Sequence, residues 1–163
     1  RPDLIHLCLI EVCTIPLYFE KKLRIYVHTI DDKVIFVGEN VRLPKSYHRF
    51  VGLIEKLYSA GKIEEGGKKL LEVKDMTFSD LIDKIDAKNV IGLSTKGRTS
   101  SYEKLAQNIN EDSCIVIGGF SKGHFSDKML KRVDNLVSVD KKSLEAHVVI
   151  SRLLYEYEKR IIM

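Results

Sequence analysis

The 163 residues contain no tryptophan, three prolines and three cysteines. Cys8, Cys13 and Cys114 form no Cys-x-x-Cys pair, and no histidine stands at a metal-ligand spacing from them. An odd, scattered set argues against a disulfide framework and a structural zinc site. It fits reduced, mostly buried thiols in a cytosolic protein. No apolar run approaches the ~18 residues that cross a bilayer, and the Arg1-Pro2-Asp3 start is neither a signal nor a transit sequence. No membrane partner is expected. Charge of one sign is also scarce in excess: 27 basic against 23 acidic residues leave +4, too little for a histone-like polyelectrolyte. The sequence lacks the phosphate-cradling Gly-Lys-Ser/Thr, the GxGxxG dinucleotide turn, the GxSxG elbow and the HExxH helix. His6, His28, His48, His124 and His147 are scattered and read as surface or satisfied core residues.

What is present is an alternation of apolar runs and amphipathic stretches in one domain covering residues 1–163, without repeats or linkers. Leu4–Val12 is almost continuously apolar, and periodicity does not decide it; a buried strand running into a short helix is the favoured reading. Leu23–Thr29 and Lys33–Val37 flank a turn and predict a hairpin. Ser46–Ala60 predicts a helix with Phe50, Leu53, Ile54 and Leu57 on one stripe and Gly61 as its stop. Strands are expected at Lys69–Val73, Val90–Leu93, Cys114–Ile117 and Leu136–Val139. Helices are expected at Thr77–Ile85, Ser101–Asn108 and Ser143–Ile161. Strands alternating with helices in the second half predict an α/β fold, a mostly parallel sheet with helices on both faces. Ligands in such sheets bind beyond the strands' carboxyl ends, which selects the loops Ser94–Arg98, Gly118–Phe125 and Ser138–Ser143.

Four segments carry chemistry. Cys114–Ile117 empties into a loop with Gly118, Gly119 and Gly123, where a ligand can approach the backbone closely; a simple tight turn is an equal reading. Arg42, Lys45 and Arg49 gather with His48 at the start of a predicted helix, with Lys45 and Arg49 on one face. Cations and free helix N–H groups there suit RNA phosphates, whereas a merely solvated basic face is the commoner meaning. Arg1-Pro2-Asp3 offers a carboxylate that could orient an arginine or act as a base, or simply close an element's end. The last helix is apolar on more than one side, through Leu144, Val148, Ile150, Leu153, Leu154 and Tyr157. That suggests a subunit interface or a central core position.

Three of these segments occur in order: Arg1-Pro2-Asp3-Leu4-Ile5-His6, Arg42-Leu43-Pro44-Lys45-Ser46-Tyr47-His48-Arg49-Phe50-Val51-Gly52-Leu53, and Ile117-Gly118-Gly119-Phe120 followed by Gly123. Together with Leu23–Thr29 they resemble the ribosome-biogenesis pseudouridine-N1 methyltransferases of archaea and eukaryotes, a branch of the SPOUT class. The resemblance covers essentially the whole chain.

It implies a deep trefoil knot near the carboxyl end, a rare exception to the rule against threaded loops, and a homodimer. It implies S-adenosylmethionine held by Leu93, Ser94, Gly118, Gly119, Gly123, Ser138, Val139, Leu144 and Ala146, with no metal. A small-subunit rRNA hairpin would lie against Arg1, Arg42, Lys45 and Arg49. Lys45 stands where the family often has arginine, which keeps the charge and loses the planar fork. Asp3, with Arg1, would accept or orient the N1 proton of the target base. The family's usual first strand and long polar loop, ahead of the Arg-Pro-Asp segment, have no counterpart in this sequence. A non-catalytic assembly factor, a SPOUT enzyme with another RNA target and a basic α/β domain for a different small molecule are the alternatives. An archaeal protein of this family would be cytoplasmic, and a eukaryotic one nucleolar.

Overall fold

The computed structural model describes residues 1–120 and 123–163. It divides into two compact units, Pro2–Leu81 and Ile82–Met163, with Arg1 grouped with the second.

The first unit opens with helix α1, Pro2–Val12, where the apolar run favoured a strand running into a short helix. The helix-start signals prevail. Pro2 takes the first helical position, where its missing N–H costs nothing, and Asp3 lies in the first turn, where the exposed N–H groups favour a carboxylate. His6, Cys8, Leu9 and Val12 are buried. Burial pushes the thiols of Cys8 and Cys13 up to about 11, so both are neutral core groups at physiological pH.

A short helix α2, Pro16–Phe19, follows. Then β1 (Ile25–His28), β2 (Lys33–Val37), β3 (Lys62–Glu65) and β4 (Lys68–Asp75) form an antiparallel sheet in the order β1-β2-β4-β3. The β1–β2 hairpin is the predicted one. Glu65 pairs with Lys68, leaving Gly66 and Gly67 as a two-residue turn with φ of 58° and 79°. Two positive φ angles in succession are the geometry that glycines supply without strain.

Helix α3, Tyr47–Ala60, is bounded as its sequence predicts. Ser46 accepts a hydrogen bond from the Arg49 N–H, and Gly61 adopts φ 82° with its N–H on Leu57 O. Phe50 and Leu57 are its buried stripe.

Helix α4, Phe78–Ile85, runs across the junction of the units. In the second unit, β5 (Asn89–Thr99), β6 (Ser113–Ile117) and β7 (Asn135–Ser138) form a parallel sheet in the order β6-β5-β7. Helices α5 (Tyr102–Gln107), α6 (Asp127–Leu130) and α7 (Ala146–Ile161) complete it. β5 is longer than predicted, and the segment 94–98 belongs to it: pairing with β7 is interrupted after Leu93 and resumes at Arg98 opposite Val137. α7 begins at Ala146, three residues later than the apolar pattern suggested.

Ile91, Leu105, Ala106, Ile109, Val137 and Leu153 form the buried core of this unit. Arg160 on α7 donates to the carbonyls of Ala106 and Ile109, at 2.6 and 2.7 Å, tying α7 to the end of α5. Leu153 is 1% exposed. Leu153→Ala is therefore expected to lower unfolding stability by about 2–5 kcal/mol, measured by urea denaturation of the full chain.

Candidate active site

Parallel pairing brings the carboxyl ends of β5, β6 and β7 to one edge of the sheet, and the residues expected to hold a cofactor cluster there in sequence. Leu93 lies opposite Ile117 and Val137 in the register. Next to it the Ser94 hydroxyl accepts from the Lys96 N–H, at 3.2 Å. Gly118 follows β6, and a Cβ there would stand 2.5 Å from the Phe120 ring. Gly119 is half-buried. Gly123 has φ 99°, a left-handed backbone that a side chain would strain; residues 121 and 122 of the same glycine-rich loop lie outside the described residues.

Ser138, 6% exposed, closes β7 with its hydroxyl on Asp140 O at 2.8 Å. Val139 and Leu144 are half-buried apolar residues beyond it, and Ala146 opens α7. Unpredicted was Gly97, in the interruption of β5. A Cβ there would fall on the backbone of Leu136 and Val137, so only glycine lets β5 rejoin β7 beside the site. Gly97→Ala is expected to cost about 1–3 kcal/mol of stability through overpacking and to weaken binding of S-adenosylhomocysteine, read by titration calorimetry.

The helix starts differ in a telling way. Ser46, Ser101 and Ser126 cap α3, α5 and α6 by accepting from the third helical N–H. α7 has Glu145 at that position, with no side-chain cap bond. The Glu145 carboxylate instead approaches His147 Nδ1 at 3.5 Å, too far for a good hydrogen bond. The Val148 N–H of that first turn turns back onto Glu145 O at 3.0 Å, so the start of the longest helix is closed by main chain rather than by a side chain. Backbone donors, half-buried apolar side chains and glycines suit an adenosine-type ligand bound through the main chain. Among the described residues no group of three or more His, Cys, Asp or Glu is placed to share a metal.

The predicted RNA-facing cations lie elsewhere in the chain. Arg42, Lys45 and Arg49 of the first unit are all exposed, and no ion pair engages them among the described residues, although Lys21, Lys33, Lys62, Lys69 and Lys74 of the same unit each have an acidic partner. The backbone presenting them is tied twice. Tyr18 Oη accepts from the Val41 N–H at 2.8 Å and donates to Gly38 O, while His6 holds Pro44 O at 2.7 Å. Burial raises the Tyr18 phenol above its ordinary range, so it keeps the proton it donates. Asp3, half-buried, projects from the first turn of α1. Exposed Arg1 precedes that helix and groups with the other unit.

A parallel α/β sheet whose strand ends carry glycine-rich loops stands in one unit, and an antiparallel sheet with exposed cations in the other. The chain belongs to the EMG1/NEP1 methyltransferase family, which it matches over residues 1–158. It is 37% identical over 156 residues to the ribosomal RNA small subunit methyltransferase Nep1 of Staphylothermus marinus, covering 94% of this chain and 68% of that one. To the protein of the same name in Methanothrix thermoacetophila it is 33% identical over 165 residues, covering 99% and 71%. The crystal structure of Archaeoglobus fulgidus Nep1 bound to S-adenosylhomocysteine superposes with a TM-score of 0.82 at 33% identity, covering 98% of this chain and 70% of that chain. No helix among the described residues is long and apolar enough to cross a membrane.

Proposed function

We propose that this chain is an S-adenosylmethionine-dependent RNA methyltransferase that methylates N1 of a pseudouridine in small-subunit rRNA and takes part in small-subunit biogenesis. The observation that carries the proposal is similarity to Nep1 proteins over 94–99% of this chain, combined with a loop edge of glycines and an α7 without a side-chain cap. S-adenosylmethionine supplies a methyl group already activated on a sulfonium, so proximity and alignment are the protein's main task. Backbone groups around Leu93, Ser94, Gly118, Gly119, Gly123, Ser138 and Val139, with Leu144 and Ala146, would hold the adenosine.

Arg42, Lys45 and Arg49, with Arg1, neutralise phosphates of an rRNA hairpin whose target base is turned out of its stack. Asp3 accepts or orients the N1 proton, with Arg1 steadying the base or its phosphate. As N1 bonds to the methyl carbon, the carbon–sulfur electron pair stays on sulfur and the N1 proton leaves to the carboxylate. A single functional domain, a carboxyl-terminal trefoil knot of the SPOUT kind and a homodimer belong to the same reading, as does a cytoplasmic location, in keeping with archaeal relatives.

The test compares methyl transfer from labelled S-adenosylmethionine to one small-subunit hairpin carrying pseudouridine or uridine. Transfer to the pseudouridine RNA alone establishes donor, enzyme and target atom. RNA binding without transfer to either would replace the proposal with an assembly-factor role.

A further inference from the structure

His6 lies one helical turn beyond Asp3, on the same side of α1. It is 5% exposed, the only buried histidine among the described residues. Its ring stacks on Phe50 of α3, with centroids 4.5 Å apart and planes at 24°, and lies 5.9 Å from Tyr47. Its Nε2 is 2.7 Å from Pro44 O. A carbonyl oxygen only accepts, so Nε2 carries the hydrogen and donates it. Proline has no N–H, and this carbonyl is the group through which the Arg42–Lys45 stretch can be gripped from α1. The second tie on the same stretch comes from Tyr18 to the Val41 N–H, so Arg42 is suspended between two fixed points.

We propose that His6 is a positioning residue for the methyl-transfer reaction. Through its hydrogen bond to Pro44 and its stack on Phe50, it fixes the distance between Asp3 and the cationic segment Arg42–Arg49. RNA gripped by those cations is thereby delivered at a set offset from the carboxylate. The proposal rests on the function proposed above. Its physical basis is that each partner belongs to a different task. Asp3 is held by α1, while Arg42, Lys45 and Arg49 are held by the start of α3 and the loop before it. The His6–Pro44 hydrogen bond joins the two. The ring suits this better than an aliphatic residue, because it fills the space over Phe50 and carries a donor rigidly at its rim. An amide reaches the same carbonyl but without the stack.

The experiment measures single-turnover methyl transfer to the pseudouridine hairpin at saturating RNA, with RNA affinity, S-adenosylhomocysteine affinity and Tm recorded on the same preparations. His6→Phe keeps the stack and removes the donor; His6→Gln restores a donor. Phe is expected to lower the single-turnover rate on the order of tenfold, with RNA and S-adenosylhomocysteine affinities within about twofold of the parent. Gln is expected to recover most of the rate, even with a lower Tm. If Phe does not fold, His6→Met, flexible and without a donor, carries the same comparison. A parent-like rate in the donor-less variant overturns the proposal. So does a loss that runs in parallel through cofactor affinity, RNA affinity and rate, or a Gln variant no better than Phe, since each marks a purely structural role. Absence of transfer by the parent chain itself would instead count against the proposed function.

Discussion

Asp3→Asn is expected to reduce methyl transfer by about 10²–10⁴-fold, the usual contribution of a positioned general base, while RNA and S-adenosylhomocysteine affinities stay close to those of the parent. Asparagine has nearly the shape of aspartate and is well tolerated near a helix start, so α1 should form unchanged. What it lacks is a lone pair basic enough to take the N1 proton. Single-turnover transfer, with RNA binding measured alongside by fluorescence anisotropy, separates the two effects. Full turnover by the Asn variant would remove Asp3 from the proton path. A parallel loss of RNA affinity would recast it as a residue that orders the RNA-facing surface.

The second large effect is expected from removing Arg42, Lys45 and Arg49 together by alanine. Exposed and unengaged by ion pairs among the described residues, these side chains contribute little to folding, within about 0.5 kcal/mol each. Each phosphate neutralised contributes roughly 0.7–0.9 to the slope of log affinity against log salt. The triple variant should therefore have a slope shallower by about 2–3, and the parent should lose about 20–40-fold more affinity than the variant between 50 and 200 mM salt. Unchanged S-adenosylhomocysteine binding is the control. Equal slopes would mean that the cations serve only solubility. A Lys45→Arg variant adds the bidentate fork at constant charge, so any gain it shows is contact geometry rather than attraction.

The sequence made some of these elements plain and hid others, for physical reasons that differ by element. α3 was legible because stripe, serine cap and glycine stop agree, and each is local chemistry. The β1–β2 hairpin and the short apolar strands of the parallel sheet were legible from their β-branched residues. α1 was misread because an unbroken apolar run has no period, and Pro2 followed by Asp3 was the signal that should have decided it. β3, Lys62–Glu65, is too polar and short to announce itself; it is strand because it pairs with β4. The far end of β5 reads as a loop in Ser94–Arg98 because its pairing depends on a backbone approach at Gly97. The strand-end loops followed from topology alone. The uncapped α7 did not, since only the absence of a hydrogen bond reveals it.

Under the proposed function, that missing cap would link cofactor binding to folding. A helix start without a side-chain cap is less stable than a capped one, and an adenosine bound there would offset the difference, so occupancy and unfolding would be thermodynamically coupled. Glu145→Ser would test the coupling. A serine there supplies its own acceptor, raising the Tm of the ligand-free chain while shrinking the Tm increment produced by saturating S-adenosylhomocysteine. On that reading the native glutamate would trade intrinsic robustness for responsiveness, the loaded protein being the more stable one.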